Sequence, residues 1–342
     1  MKKIKTTEAV GHVLCHDITQ IIKDQTKDAL FRKGHIVREE DIPVLLSLGK
    51  DHLFVWEKQE GMLHENEAAE ILYAICRNEH MHPTPVKEGK IDIVADMNGL
   101  FKADVERLYA INSLGEMMIA TRHTNTPVKK GDKLAGTRVI PLVIEKEKMD
   151  RARLVAGDRP LLQILPFGHK KASLIITGNE VYHGRIKDAF GPVICEKLAE
   201  YDVDILGQTH MHDDEKEITR LINEAVEQGA DLVICTGGMS VDPDDTTPTA
   251  IKNTGAKLIT YGAPVLPGAM FLLAYLQQGS KIIPVLGLPG CVMYAKRTIF
   301  DLVLPRIMAD ELLTKEDIAK LGHGGLCLNC RTCTYPNCGF GK

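Results

Sequence analysis

Two glycines and two adjacent acids follow an apolar run in the stretch DLVICTGGMSVDPDDTTPTAI, which begins at Asp231. Glycines let a ligand approach the backbone closely, and consecutive free N–H groups form an anion-binding nest. Asp244 and Asp245 would repel a bare phosphate held at Gly237 and Gly238. A divalent cation removes this conflict, because carboxylates and phosphate oxygens can share Mg²⁺. The stretch therefore predicts a site for a phosphate-bearing ligand together with Mg²⁺.

Helix capping is the alternative explanation for the two acids. Thr247 is predicted as an N-cap with Pro248 at the first helical position, so Asp244 and Asp245 precede a helix N-terminus. Acids at that position compensate the helix dipole by roughly 0.3–1 kcal/mol. One acid is enough for this role, so the second acid favours the cation.

Three further turns carry glycine and follow or separate predicted strands. They are Thr177-Gly178-Asn179-Glu180, Leu266-Pro267-Gly268 and Leu288-Pro289-Gly290. In an open parallel sheet, ligands bind beyond the carboxyl ends of the strands. Four such turns in one region therefore predict a phosphate-binding edge of a sheet.

A second acidic pair, Asp213-Asp214 in HMHDDE, offers the same cation chemistry one loop earlier. Capping of a helix predicted at 215–228 explains this pair equally well. His210 and His212 are two residues apart and share one face of the strand end. No third ligand accompanies them, which favours solvated loop histidines over a metal site.

Four cysteines lie close together near the end of the chain, in GLCLNCRTCTYPNCGFGK. Cys327, Cys330, Cys333 and Cys338 have the spacing C-x2-C-x2-C-x4-C. In a reducing compartment this pattern predicts metal binding rather than disulfides. Four thiolates suit tetrahedral Zn²⁺ or an iron–sulfur cluster. The alternative is a flexible redox-active tail that follows a hinge in the glycine-rich stretch GHGG. The other five cysteines lie in apolar context and are predicted to be buried, reduced thiols: Cys15, Cys76, Cys195, Cys235 and Cys291.

Composition limits the class of protein. The chain has 342 residues, 44% of them hydrophobic, and a formal net charge of −4. This balance argues against a nucleic-acid or membrane-surface binder. No apolar run approaches the roughly 18 residues of a membrane span, and no apolar segment follows the first lysines as in a signal peptide. We expect a cytoplasmic protein.

Strands and helices alternate in the region that carries the glycine turns. Strands are predicted at 172–177, 203–209, 231–236 and 281–289, and helices at 192–201, 215–228 and 292–308. This alternation is typical of a mainly parallel sheet covered by helices on both faces, an α/β fold. Upstream, helices are predicted at 39–48, 65–77 and 101–110 among short β-rich segments. We predict four regions: an α+β segment 1–60, a helix plus small β-rich domain 61–165, the α/β domain 166–310 and a Cys-rich tail 311–342.

Residues 171–308 resemble the molybdopterin-binding domain shared by molybdopterin adenylyltransferases, molybdopterin molybdenumtransferases and gephyrin. Its ordered motifs are all present: TGNE at 177–180, DD at 213–214, TGGMS at 236–240, DT at 245–246, PG at 267–268 and LPG at 288–290. The resemblance implies a three-layer α/β sandwich that binds the phosphate of the pterin dithiolene at the strand ends.

The resemblance also implies roles for individual residues. Asp245 and Asp214 would be the acids needed for Mg²⁺-dependent transfer. The turns would cradle molybdopterin or its adenylylated form. The contacts predicted on this basis are Thr177, Gly178, Glu180, Asp213, Thr236, Gly237, Gly238, Met239, Ser240, Asp244, Thr246, Pro267, Gly268, Leu288, Pro289 and Gly290.

Four departures from the family pattern affect the predicted activity. Asn179 replaces the usual acid of the first turn, and the PG turn lacks its usual flanking lysines. Cys291-Val292 stands where Asn-Pro is common, and the N-terminal half lacks the PxDxSxMDGYA signature of the molybdenumtransferase. Losing lysines removes charge that would bind an anionic pterin, so ligand binding is a firmer expectation than transfer.

The leading hypothesis is a molybdopterin-binding protein of molybdenum cofactor biosynthesis, with Mg²⁺-dependent adenylyl or molybdenum transfer. A molybdoenzyme or another cofactor-assembly protein is the expected partner, and a homo-oligomer the expected state. The first alternative is a CinA-type nucleotide (ADP-ribose) pyrophosphatase, which the run Pro243-Asp244-Asp245-Thr246 also fits. The second is a non-catalytic cofactor carrier, or a redox sensor that uses the tail.

Overall fold

The structure is a computed structural model that describes residues 2–22, 26–56, 60–240 and 245–342. The strands are β1 (Lys2–Lys5), β2 (Val13–Leu14), β3 (Ile18–Ile22), β4 (Thr26–Phe31), β5 (His52–Trp56), β6 (Met62–His64), β7 (Met81–Pro83), β8 (Lys90–Ala95), β9 (Gly99–Ala103), β10 (Met117–Thr121), β11 (Thr126–Val128), β12 (Lys133–Val139), β13 (Val143–Glu145), β14 (Leu162–Pro166), β15 (Lys171–Thr177), β16 (Asp204–Met211), β17 (Leu232–Thr236), β18 (Lys257–Tyr261), β19 (Leu272–Gln278) and β20 (Lys281–Leu288). The helices are α1 (Asp41–Ser47), α2 (Glu65–Cys76), α3 (Val105–Asn112), α4 (Lys146–Ala156), α5 (Asn179–Tyr182), α6 (Phe190–Ala199), α7 (Glu215–Glu227), α8 (Thr247–Asn253), α9 (Ile299–Met308) and α10 (Lys315–Lys320).

The chain forms two compact units. The first comprises Met1–Asp96, Ala103–Arg122 and Lys130–Gln163, and the second comprises Met97–Lys102, His123–Lys129 and Ile164–Lys342. The division into four regions at 60, 165 and 310 stays a prediction.

Where the structure describes it, the first unit contains small antiparallel sheets and four α-helices. Its sheets have the orders β1-β5-β2 and β10-β12-β8-β7, with the hairpin β3-β4 and the pair β13-β6. The helix predicted at 101–110 begins later, because Phe101 lies in β9. The Asp104 side chain accepts a hydrogen bond from the Arg107 backbone N–H, and this cap starts α3 at Val105.

The second unit is built on a six-stranded sheet of order β16-β15-β17-β20-β19-β18. The first four strands are parallel, and β19 runs antiparallel to both β20 and β18. Alternate residues of β15 face opposite sides. Leu174 and Ile176 pack in a core that includes α6 and α9, whereas Ile175 packs in a core that includes α7 and α8. The second unit is therefore a three-layer α/β sandwich with a mainly parallel sheet, as predicted.

The last helix of the sandwich begins later than the predicted residue 292. A 3-10 turn spans Gly290–Met293, and α9 starts at Ile299. The Thr298 side chain accepts from the Phe300 N–H, and Asp301 accepts from the Thr298 N–H. This capping box fixes the helix start, which apolar periodicity alone does not reveal.

The C-terminal tail packs into the second unit. Phe340 is buried, and the Tyr335 hydroxyl donates to the Asp301 carbonyl at 2.7 Å. A Cβ on Gly324 would collide with the Lys342 carbonyl, and one on Gly325 with the Leu321 carbonyl. These glycines permit close packing instead of forming a hinge, so the alternative of a flexible tail is wrong.

Among the described residues, no helix is long and apolar enough to cross a membrane.

Candidate functional site

The four glycine-bearing turns leave one edge of the sheet. Ile176 of β15 pairs in register with Thr236 of β17, which pairs with Leu288 of β20. β18 points in the same direction as β20, because each is antiparallel to β19. The turns at 177–180, 236–240, 262–271 and 288–290 therefore lie at the same end of the strands. We call these turns together the strand-end edge.

The two glycines after β17 have different surroundings. Gly237 has φ +84°, and a Cβ there would collide with the Thr177 carbonyl, so glycine is required for β17 to turn beside β15. Gly238 has φ +53°, and its Cβ position lies 3.5 Å from Asp213 Oδ1 and 3.0 Å from Thr247 Oγ1. Gly238 therefore lies next to polar oxygens, whereas Gly237 is packed against backbone.

Three buried polar atoms define the chemistry of this edge. Among the side chains that the structure describes, Asp213 Oδ1, Thr236 Oγ1 and Thr246 Oγ1 are the buried polar atoms without a hydrogen-bond partner. An unpaired buried polar group costs about 1–3 kcal/mol. Unpaired groups at a site indicate that a ligand supplies their hydrogen-bond partners. The carboxylate oxygen can only accept a hydrogen bond or bind a cation, whereas the two hydroxyls can both donate and accept.

Asp213 and Asp214 are directed to different tasks. Asp213 Oδ2 accepts from the Asn179 N–H at 3.2 Å, and its Oδ1 lies beside Gly238. Asp214 is the N-cap of α7, where Oδ1 accepts from the Glu217 N–H at 2.9 Å. The capping explanation therefore holds for Asp214, and Asp213 is the acid at the strand-end edge. A catalytic role for Asp214 stays a prediction.

Asp245 lies beside a tyrosine that the sequence did not single out. Burial, and then the charge of Asp245, raises the pKa of Tyr261. The protonated Tyr261 hydroxyl donates to the carbonyls of Met239 and Ser240, both at 3.0 Å. Tyr261 thereby holds the TGGMS turn close to Asp245. An aromatic residue directly before a glycine turn, as in YGAP, was the one signal for this role.

The neighbouring acid Asp244 lies outside the described residues. The predicted cap of the following helix is displaced by one residue: Thr246 is the N-cap, and α8 begins at Thr247. The Thr246 hydroxyl makes no capping hydrogen bond and is buried without a hydrogen-bond partner among the described residues. Thr247 is fully buried, and its Oγ1 lies 3.4 Å from Thr177 Oγ1.

Two predicted contact residues direct their side chains into the core. Met239 is buried, and its thioether occupies the space above Gly287, where a Cβ would lie 2.6 Å from the sulfur. Leu288 is fully buried in the core that includes α9. Their side chains are therefore packed in the interior: Leu288 through its position in β20, and Met239 because the turn after β17 folds it over Gly287.

The two proline–glycine turns also differ. Gly268 is buried against Ile299, where a Cβ would meet Cγ2 at 2.5 Å, and the Pro267 carbonyl accepts from the Ile299 N–H. Gly290 is exposed, with nothing within 4 Å of its Cβ position, and follows the buried Pro289. The PG turn is fixed by packing on α9, whereas the LPG turn offers open backbone.

The first turn is short and anchored to the edge strand. The Gly178 N–H donates to the Met211 carbonyl at 3.2 Å, and α5 starts at Asn179. Glu180 lies within α5, and its side chain lies outside what the structure describes.

The histidines and the scattered cysteines are accounted for locally. His210 Nε2 lies 3.0 Å from Asp188 Oδ2, and His212 lies 3.9 Å from Asp214 Oδ2. Cys76 and Cys235 are buried, and burial raises the pKa of each thiol to about 12. The other three predicted as buried, Cys15, Cys195 and Cys291, are half-buried.

The four tail cysteines line one cavity of about 280 Å³, which we call the tail cavity. Cys330 and Cys333 are exposed, Cys327 and Cys338 are half-buried, and all four are free thiols. Across the described ranges, no three His, Cys, Asp or Glu side chains are grouped as ligands of a single metal ion. Metal binding by the tail therefore stays a prediction.

Comparison with known families supports the resemblance noted in the sequence. Residues 173–309 match the family profile described as a probable molybdopterin binding domain. Residues 3–57 match a profile described as a domain of unknown function.

Known proteins resemble parts of the chain. A molybdopterin molybdenumtransferase from Synechococcus elongatus is 26% identical over 182 residues, which is 51% of this chain and 42% of that protein. A CinA-like protein from Mycobacterium tuberculosis is 36% identical over 77 residues, 22% of this chain and 18% of that protein. The chain thus spans less than half the length of these curated relatives. The structure of the tungsten cofactor synthesizing protein MoaB from Pyrococcus furiosus is 22% identical and has a TM-score of 0.35, covering 41% of this chain and 91% of that one.

Proposed function

We propose, on the premise that residues 173–309 form a domain of the molybdopterin-binding family, that this chain binds molybdopterin or its adenylylated form at the strand-end edge and acts in molybdenum cofactor biosynthesis. One observation carries the proposal. Three buried polar atoms without partners, Asp213 Oδ1, Thr236 Oγ1 and Thr246 Oγ1, lie among turns that converge on one edge. A phosphate-bearing ligand supplies partners for the two hydroxyls, and a divalent cation bound with it supplies the partner for the Asp213 carboxylate.

The chemistry of these atoms fits a phosphate with a divalent cation. The two threonine hydroxyls can donate to phosphate oxygens, and the Gly290 backbone leaves room for close approach. Asp213 Oδ1 and the Asp245 carboxylate are oxygen donors of the kind Mg²⁺ prefers. Mg²⁺ is commonly held by one or two carboxylates plus phosphate oxygens and water, so no cluster of three protein ligands is needed.

When bound, Mg²⁺ would neutralise phosphate charge during transfer of an adenylyl group or molybdenum to molybdopterin. The residues of this chain would position the ligand. Tyr261 would hold the TGGMS turn, and Asn179 would orient Asp213 through its backbone N–H. The turn at Pro267-Gly268 lacks flanking lysines. It would contact the ligand through its backbone, which packing on Ile299 holds in place, and it would contribute no positive charge to the site.

The wider assignments belong to the same proposal. We expect a homo-oligomer that delivers its ligand to a molybdoenzyme or to another cofactor-assembly protein. The four tail cysteines would form a second metal site, for Zn²⁺ or an iron–sulfur cluster.

The test is a titration of the anaerobically purified full chain with molybdopterin and adenylylated molybdopterin, against ATP and ADP-ribose, with and without Mg²⁺. Tight, Mg²⁺-dependent binding of a pterin without nucleotide hydrolysis is the expected result. Absence of pterin binding would overturn the proposal.

The Asp245→Ala variant separates an enzyme from a carrier. A transferase loses turnover and keeps part of its ligand affinity, whereas a carrier shows only a modest change in affinity. Asp204→Asn is a suitable control, because Asp204 is exposed at the opposite end of the sheet.

A CinA-like nucleotide pyrophosphatase is the second candidate, favoured by the 36% identity over 77 residues. It would use the same acids and Mg²⁺ to hydrolyse ADP-ribose. Hydrolysis of ADP-ribose with no pterin affinity in the titration would select this function.

A further inference from the structure

The tail cavity has the ligands of a metal site without the arrangement of a single-ion site. Its lining includes all four cysteines of the C-x2-C-x2-C-x4-C run. Around one Zn²⁺, with Zn–S bonds of about 2.3 Å, four sulfurs stand only about 3.8 Å apart. Within the described residues, no group of three His, Cys, Asp or Glu side chains is placed to hold one metal ion. The thiols instead surround a volume of about 280 Å³.

An iron–sulfur cluster explains this arrangement. In a cluster, iron and sulfide ions stand between the protein thiolates, so the four cysteines must surround a space and not a point. The first three cysteines also have the C-x2-C-x2-C spacing of the bacterial four-iron run. The last interval is x4 here and x3 in that run, whose fourth cysteine binds a second cluster. Cys338 is therefore added to the other three by the cavity that all four line.

Cationic side chains line the same cavity. Lys296 Nζ donates to the Cys330 carbonyl at 3.3 Å and to the Arg331 carbonyl at 2.8 Å. The Arg297 guanidinium lies 4.9 Å from the centre of the Tyr335 ring and is bonded to Asp301. Four thiolates around a cluster carry net negative charge, which the Lys296 ammonium partly offsets. The Arg297 guanidinium is already paired with Asp301 and Glu200.

The cavity is rigidly attached to the strand-end edge. The Leu266 N–H donates to the Gly325 carbonyl, and the Cys327 N–H donates to the Leu266 carbonyl, both at 2.8 Å. Leu266 directly precedes the Pro267-Gly268 turn. One wall of the tail cavity is thus continuous with a turn of the proposed ligand site.

We propose that Cys327, Cys330, Cys333 and Cys338 hold a [4Fe–4S] cluster in the tail cavity. The Cys327 N–H is hydrogen-bonded to Leu266, the residue before the Pro267-Gly268 turn. Each thiol releases its proton as its sulfur binds iron. Assembly takes two ferric ions, two ferrous ions and four sulfides from solution to give the [4Fe–4S]²⁺ core, so no further oxidant is needed. The proposal builds on the tail metal site of the proposed function and is independent of pterin binding.

The experiment is anaerobic reconstitution of the full chain with iron and sulfide, followed by iron, sulfide and zinc analysis, visible absorption and electron paramagnetic resonance after reduction. About four irons and four sulfides per chain, the content of a cubane held by four cysteines, are expected. One zinc with no acid-labile sulfide, a two-iron content, or no retained metal would each overturn the proposal.

Variants assign the ligands. Cys330→Ser and Cys333→Ser should lose most of the bound iron and the visible band, and both residues are exposed, so folding should survive. Cys195→Ser, a half-buried cysteine of α6, should retain the cluster. Equal cluster content in all three variants would also overturn the assignment. Intact pterin titration in Cys333→Ser distinguishes failure of the cluster from failure of the proposed function.

Discussion

The strand-end edge and the tail cavity are neighbouring regions of the second unit that offer different chemical groups to a ligand. The edge presents backbone, hydroxyl and carboxylate oxygens, three of which lack partners among the described residues. The cavity presents sulfur, with its surrounding backbone already hydrogen-bonded through Leu266, Lys296 and Tyr335. Hard oxygen donors suit Mg²⁺ and phosphate, whereas thiolates suit zinc or iron.

The two regions also use their closely packed glycines differently. At the edge, glycines such as Gly237 let two strands end side by side, and the polar groups remain unsatisfied. In the tail, glycines such as Gly324 and Gly325 let the chain fold back against itself, and the thiols remain free. A change at a packed edge glycine such as Gly237 should therefore alter stability, and a change at a polar edge residue should alter ligand affinity. A change of an exposed tail thiol should alter metal content.

The largest expected effect comes from Gly237→Ala. A methyl group there meets the Thr177 carbonyl at φ +84°, so unfolding should become easier by about 3 kcal/mol or more. Urea unfolding of the full chain, with hydrogen exchange of the β15 and β17 amides, measures this.

Gly255→Ala is the matched control for this variant. Gly255 has φ +82° with nothing within 4 Å of its Cβ position, so it isolates backbone strain of about 1–2 kcal/mol. Equal losses in the two variants would refute the contact with Thr177.

The next effect separates the two acids of the Asp213-Asp214 pair. Asp213→Asn should weaken Mg²⁺-dependent pterin binding about tenfold or more, because a cation ligand is lost, with no loss of stability. Asp214→Asn should leave affinity unchanged, since asparagine caps helices as well as aspartate does. Titration calorimetry of both variants checks this, and the reverse order of affinities would restore Asp214 as the functional acid.

Folding stability should depend on acid at α10, the helix that precedes the tail cysteines. Burial alone would raise the pKa of Asp317, but hydrogen bonds from Thr314 and Arg306 lower it from 3.8 to about 2. Because the folded-state pKa is the lower one, its stabilisation is present above pH 3.8 and is lost as the pH falls toward 2. The loss should be about 2 kcal/mol. The test measures urea midpoints of the unchanged chain and of Asp317→Asn at pH 5 and below. Midpoints that fall equally with pH in both proteins would contradict the prediction.

The smallest effect on stability is expected at the open turn. Gly290→Ala meets nothing within 4 Å and should change unfolding by no more than about 0.5 kcal/mol. If a ligand approaches this backbone, pterin affinity should still fall several-fold. Unchanged affinity in the same titration would remove the LPG turn from the site.

Sequence reasoning located the sandwich well, because strands such as β15 and β17 are short apolar runs with clear turn residues at their ends. It misplaced the start of α9, since the box formed by Thr298 and Asp301 lies within an otherwise apolar stretch. The site was predicted less completely. Which member of Asp213-Asp214 caps α7 was readable from Glu217, three residues after Asp214, a spacing typical of a helix start.

Other features depend on contacts that are distant in sequence. The packing of Met239 over Gly287 and of Tyr335 on Asp301 joins residues more than 30 positions apart. No local pattern encodes such pairs. The same holds for the unpaired hydroxyls of Thr236 and Thr246, because a missing partner is a property of the folded environment.

Leu266 connects the two regions, so ligand binding at one can be coupled to ligand binding at the other. Its N–H and carbonyl are both committed to the tail, and its own peptide bond leads into Pro267. If filling the tail cavity changes pterin affinity by some factor, linkage requires that bound pterin change the affinity of the tail for its metal by the same factor. Metal retention measured with and without pterin would then report the coupling as directly as pterin binding does.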